Sequence, residues 1–98
     1  MQVKIQKSYR NIVAICDSEL LGKKFEEDKF QLNIKESFYK GEEKTKSEVL
    51  DIIKKMSIED STFNIVGKEA INVALEAGII SEQGVKKIQG IPFALVLL

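Results

Sequence analysis

Four short stretches of the chain hold residue types that could do chemistry. The first is Gly67-Lys68, set between an apolar segment at residues 63–66 and a helical pattern at residues 68–77. Free N–H groups at a helix start, backed by the helix dipole, attract anions, which makes Gly67 and Lys68 a weak anion-binding candidate. A phosphate loop of the G-x-x-x-x-G-K-[ST] type supplies several glycines to expose amides and a hydroxyl for magnesium. This turn has one glycine, and Glu69 follows the lysine, where its charge competes with a phosphate. The turn therefore reads as a strand-to-helix corner before it reads as a phosphate cradle.

The second stretch is "KSYRN" at residues 7–11, where Lys7, Tyr9 and Arg10 place two cations and an aromatic ring within four residues. Cations contact phosphates while a tyrosine stacks on an unpaired base, the chemistry of single-stranded RNA recognition. Lys23, Lys24, Lys86 and Lys87 extend that patch if folding brings them together. The competing reading is an ordinary polar turn with Tyr9 leaning on the core. The third stretch is Cys16-Asp17. A catalytic cysteine needs a base or cation to form its thiolate, and the chain contains no histidine. Cys16 ends an apolar segment and reads as a small buried hydrophobe, with Asp17-Ser18 as turn or cap chemistry after it. The fourth comprises the acidic clusters "FEEDK" and "GEEK", which lack the oxygen spacing of a calcium loop and read as solvated surface. No metal and no cofactor is expected.

Composition bounds the function further. The 98 residues make one domain, 44% hydrophobic and 31% charged, which is ordinary for a globular protein. Fifteen basic and fifteen acidic residues cancel, so binding to nucleic acid or membrane would need a local patch. Arg10 is the only arginine, which counts against sequence-specific DNA readout. Without histidine, acid–base catalysis would need perturbed carboxylates or lysines, which argues against an enzyme. One cysteine excludes an internal disulfide and a cysteine-rich zinc site. The N-terminal stretch lacks the apolar run of a signal peptide, and "IPFALVLL" is too short to span a bilayer, so a cytoplasmic location is expected.

The elements that must position these residues follow from periodicity. Val3 and Ile5 alternate with polar neighbours as in a half-buried strand, and "NIVAIC" forms a denser one, joined by "KSYR" into an antiparallel hairpin. "ELLGKKFEEDK" reads as a connection. "FQLNIKE" alternates cleanly, with Phe30, Leu32 and Ile34 on one face, and predicts a third strand. "FYKGEEK" reads as a charged loop with one of Phe38 and Tyr39 packed inward. Thr45 and Glu48 have capping-box spacing, and Val49, Ile52, Ile53 and Met56 recur on one helical face. A strand at residues 63–66, a helix at 68–77 ended by Gly78, a short extended stretch "VKKIQG" and a final strand "IPFALVLL" complete the chain. The last strand is apolar on both faces, so it is expected at the sheet centre with Pro92 at its start, where no ladder donor is needed. The order β-β-β-α-β-α-(β)-β predicts an α/β (α+β) fold with two helices packed on a mixed sheet, in a single domain over residues 1–98.

Four segments in series carry a family resemblance: "VAICDSELLGKKF", "FYKGE", "NIVGKEAINVALEAGII" and "VKKIQGIPFALV". Together they resemble a small archaeal family, domain of unknown function 424, from Val13 to Val96. The resemblance implies an archaeal cytosolic protein of this size with no established activity, associated with the translation apparatus. It transfers no catalytic residue. The expected function is thus a non-catalytic binding or accessory module for RNA or a ribonucleoprotein through Lys7, Tyr9 and Arg10. Two alternatives remain: a nucleotide- or phosphate-ligand-binding enzyme using the Gly67-Lys68 turn, and a protein-interaction module or homodimer using its apolar C-terminal strand.

Overall fold

The computed structural model describes all residues, 1–98. β1 (Gln2–Gln6) and β2 (Asn11–Cys16) form the expected antiparallel hairpin, with Val3 opposite Ile15 and Ile5 opposite Val13. A single 3-10 turn at Ser18–Leu20 leads to β3 (Lys24–Glu27) and β4 (Phe30–Asn33). A short helix α1 (Glu36–Tyr39) and a two-residue strand β5 (Glu42–Glu43) follow. Then come α2 (Lys46–Met56), β6 (Ser61–Val66) and α3 (Lys68–Ala77). A 3-10 turn at Glu82–Gly84, β7 (Lys86–Ile88) and β8 (Ile91–Leu97) end the chain.

Six strands form one mixed sheet in the order β5-β1-β2-β6-β8-β7, with β2 and β6 its parallel pair. Both long helices cover the same face. There Val13, Ile15, Phe63 and Ile65 meet Val49, Ile53, Ile71 and Ala74 in the larger core. Deleting the Phe63 ring, which is wholly buried, should cost about 3–5 kcal/mol through lost burial and the cavity left behind. The Thr45–Glu48 capping box forms as read from the sequence: Glu48 N–H donates to Thr45 Oγ1 at 3.3 Å and Thr45 N–H to Glu48 Oε1 at 2.9 Å. Hydrogen bonding from Thr45, its backbone N–H first, holds the Glu48 carboxyl below its ordinary range. Gly78 ends α3 at φ 78°, a left-handed conformation that glycine adopts without a Cβ penalty.

The opposite face differs from expectation in three ways. Residues 30–36 do not join the main sheet. Phe30–Asn33 pairs instead with Lys24–Glu27, inside the segment read as a connection, in a separate two-stranded hairpin. The alternation was genuine, but it packs a small lid: Ile34 is wholly buried, Leu32 is half-buried and Phe30 at the tip is 69% exposed. Within the charged loop, α1 turns Tyr39 into the second core beside Ala14, Cys16 and Val66, with the Phe38 ring 5.0 Å away edge-on. Finally, β8 is not doubly covered. It lies one strand from the edge, and the outer parts of its run, Leu95 and Leu97, are 62% and 70% exposed.

Candidate binding surface

The parallel register of β2 and β6 places Cys16 beside Val66, so the residues that follow, Asp17 and Gly67, meet at the start of α3. The Asp17 carboxylate accepts from Ala70 N–H at 2.8 Å and Glu69 N–H at 3.1 Å. It is 3% exposed. Gly67 stands at φ 109°, and a Cβ there would lie 2.3 Å from Asp17 Cγ, so only glycine lets the two backbones close. The amides that could have cradled a phosphate at Gly67-Lys68 are therefore directed at the protein's own anion. Asp17, Glu19 and Glu69 bring carboxylate oxygens within 4.8 Å of one another, but the buried member already accepts two amides. Beside it, Cys16 is wholly buried, and burial together with the Asp17 charge pushes its thiol up to about 11, the opposite of what a nucleophile needs.

The sequence-predicted cationic trio separates. Tyr9 at the β1–β2 turn is fully exposed, with Lys7 exposed on the same turn. Arg10 folds back onto the sheet: its Nε donates to Thr62 Oγ1 at 2.9 Å, and its guanidinium also reaches the carbonyls of Ser61, at 3.2 Å, and Leu98. It laces β2, β6 and β8 together. Lys24 opens β3, with Lys23 just before it, and Lys86 and Lys87 open β7. β3 and β4 do approach β7, but acidic residues stand at the junction. Gln89 N–H donates to Glu27 Oε1 at 2.9 Å, and Lys24 pairs with Glu26 at 3.6 Å.

A larger surface adjoins that turn. The β3–β4 lid and α1 cover the sheet where Cys16, Val66 and Phe93 lie and reach Ala14 in the next row, where Lys4 Nζ also donates to the Ser37 carbonyl of α1. Of the cross-strand rows beyond them, Lys4, Ala14, Asn64, Leu95 is open only at its Asn64–Leu95 end, while the next, Gln6, Ile12, Thr62, Leu97, has no element over it. Within those rows Leu95 and Leu97 are exposed, whereas Ala14 is buried and the others are half-buried. The β8 edge is unpaired at the same place. Leu98 N–H donates to the Ser61 carbonyl and Gly67 N–H to the Pro92 carbonyl. That phase turns the backbone groups of residues 92, 94, 96 and 98 toward β6, and those of 93, 95 and 97 outward. β7 reaches only as far as Lys86 opposite Phe93, leaving Leu95 and Leu97 without a strand partner on the side away from β6.

On the helix-covered face, between α3 and the β7–β8 turn, lies a groove of about 480 Å³. Ile71, Leu75, Val85 and Pro92 make its apolar walls, and Lys68, Lys87, Asn72 and Glu82 its polar rim. Sequence reasoning found Lys68 but missed the groove: Asn72 follows from i, i+4 spacing on α3, whereas Lys87 and Pro92 reach it only through tertiary packing. It also missed Asp17 as the partner of Gly67, which follows once β2 and β6 are taken as parallel.

A mixed six-stranded sheet with two helices on one face and a small hairpin lid on the other places the molecule among α+β proteins. The chain belongs to the family described as "Protein of unknown function (DUF424)", whose model matches residues 5–98. It is similar to a solved structure, an uncharacterized conserved protein from Methanopyrus kandleri, with a TM-score of 0.78 and 23% identity. That likeness covers 98% of this chain and 90% of the other, and at this identity it speaks to the fold alone. No curated protein matches the chain.

Proposed function

We propose that this chain is a non-catalytic, cytoplasmic archaeal accessory module that docks on a ribonucleoprotein through the open half of its sheet. The observation that carries this reading is the continuity of the open sheet surface with the β1–β2 turn. Leu95, Leu97 and Ile12 offer apolar area, and Tyr9 and Lys7 stand at its border. A ribonucleoprotein presents both protein and RNA. Apolar sheet surface suits the first, while an exposed ring and cation suit unpaired bases and phosphates. Arg10 contributes by holding the strand ends in place, not by reaching a phosphate.

The test is recovery from native extract at low salt with the protein immobilised through residues away from this face. RNA-containing particles should be retained and released as salt rises, because phosphate contacts depend on counterion release. Leu95→Glu with Leu97→Glu should abolish retention, and Tyr9→Ala should weaken it. Recovery of neither RNA nor ribosomal protein would overturn the reading. The unpaired edge at Leu95 and Leu97 favours one second reading, pairing of β8 with another β8 across a two-fold axis. That arrangement predicts a mass that rises with concentration in light scattering.

A further inference from the structure

We propose that the groove between α3 and the β7–β8 turn is a binding site for a small amphipathic anion, an apolar ring or chain carrying a phosphate or carboxylate. Its size falls within the range of about 300–1,000 Å³ typical of small-molecule pockets. Ile71 and Pro92 are buried beneath it and Leu75 and Val85 half-buried, so the walls accept an apolar body. The charge on its rim is what selects an anion. Lys68 enters from the first turn of α3 and Lys87 from β7. Neither makes a salt bridge or side-chain hydrogen bond within the protein, as holds for most of its lysines; what sets this pair apart is that both line one groove with apolar walls. Glu82 is the only acid on the rim, leaving a net positive mouth, and the Asn72 amide can donate beside it.

The site departs from a phosphate loop in a physically clear way. Asp17 occupies the helix-start amides, so an anion is held by side chains at the groove and not by the backbone of the turn. An apolar body is then required, because two exposed ammonium groups alone hold an anion weakly. Lys87 and Pro92 lie on the helix-covered side of β7 and β8, away from the Leu95–Leu97 face. The proposal therefore goes beyond the docking reading and stands or falls independently of it.

The experiment is amide-resolved NMR titration of the intact chain with four probes: adenosine monophosphate, benzoate, adenosine and inorganic phosphate. We expect saturable shifts from adenosine monophosphate or benzoate at residues 68–75 and 85–91. Adenosine lacks the charge and phosphate the body, so each should bind at least about tenfold more weakly. A lead for the monophosphate assigns a phosphate ligand, a lead for benzoate a carboxylate, and either supports the site. Lys68→Gln with Lys87→Gln, both exposed and so compatible with folding, should weaken binding about tenfold, as expected for the loss of two exposed charge contacts. Shifts confined to the Tyr9 turn, no shifts at millimolar probe, or equal affinity in the double variant would each overturn the proposal.

Discussion

Asp17→Ala isolates the contact that joins two distant parts of the chain. The Asp17 carboxylate is 3% exposed and accepts two α3 amides at 2.8 and 3.1 Å. Removing it leaves two poorly hydrated donors without a partner, at about 1–3 kcal/mol each, and takes a favourable charge from the helix start, worth about 0.3–2 kcal/mol. These contributions overlap, so a total of about 3–5 kcal/mol is expected, close to the cost of breaking a buried charged pair. For a domain of this size that lowers the melting temperature by at least about 12 °C and the urea midpoint by roughly 1–5 M. Asp17→Asn, which keeps one acceptor oxygen, should cost less and remain folded. Gly67→Ala should be costly as well, because its Cβ would meet the carboxylate at 2.3 Å on a backbone at φ 109°. Combining Gly67→Ala with Asp17→Ala relieves that overlap, so the double variant should fall short of the summed costs by about 1–3 kcal/mol. Urea unfolding of the four proteins measures the cycle. A cost under about 1 kcal/mol for Asp17→Ala, or strict additivity, would refute the reasoning.

Four further outcomes follow from individual contacts. Arg10→Ala should lower stability by about 1–3 kcal/mol in the same assay, and Arg10→Lys should not restore it because a single ammonium cannot span Thr62, Ser61 and Leu98. Cys16 should resist thiol reagents at neutral pH until the chain unfolds. Burial also pushes the Tyr39 hydroxyl up to about 12, alongside the Cys16 thiol at about 11, from ordinary values of 10.0 and 9.0. The unfolded chain therefore loses these protons first. Stability is fully present below pH 9.0 and declines as pH rises through about 11 and 12, which denaturant midpoints measured across alkaline pH will show. Glu43 is held down to about 2, chiefly by hydrogen bonds from the Met1 ammonium and Ser18. Its stabilising effect is present above its ordinary 4.5 and lost as pH falls through about 2, so wild type and Glu43→Gln should converge in stability in strong acid.

What the sequence conveyed was mostly local. Thr45 and Glu48 announced a helix start because a capping box needs only three-residue spacing, and Gly78 announced its end for a similar reason. Partnership across the chain was less legible. The period of Phe30, Leu32 and Ile34 marked a strand but could not say that Lys24–Glu27 would pair with it instead of the main sheet. In β8, apolar residues on both sides suggested a central strand. One side is left open because the lid reaches only Phe93, a boundary set by where another hairpin folds. The site showed the same division. Tyr9 is as exposed as its polar turn suggested, whereas Arg10 is bound to carbonyls that lie 51 and 88 residues away in sequence. No local pattern encodes that.

The opposed uses of the two sheet faces are the core of this account: one carries the helices and groove, the other is half open beside Tyr9. The most direct measurement is sedimentation of the protein with ribosomal particles from archaeal extract at low salt, with the Leu95→Glu, Leu97→Glu variant run in parallel. The account predicts that wild type travels with the particles and is released as salt rises, while the variant stays at the top of the gradient though folded. Wild type remaining at the top, or the variant travelling equally well, would contradict it.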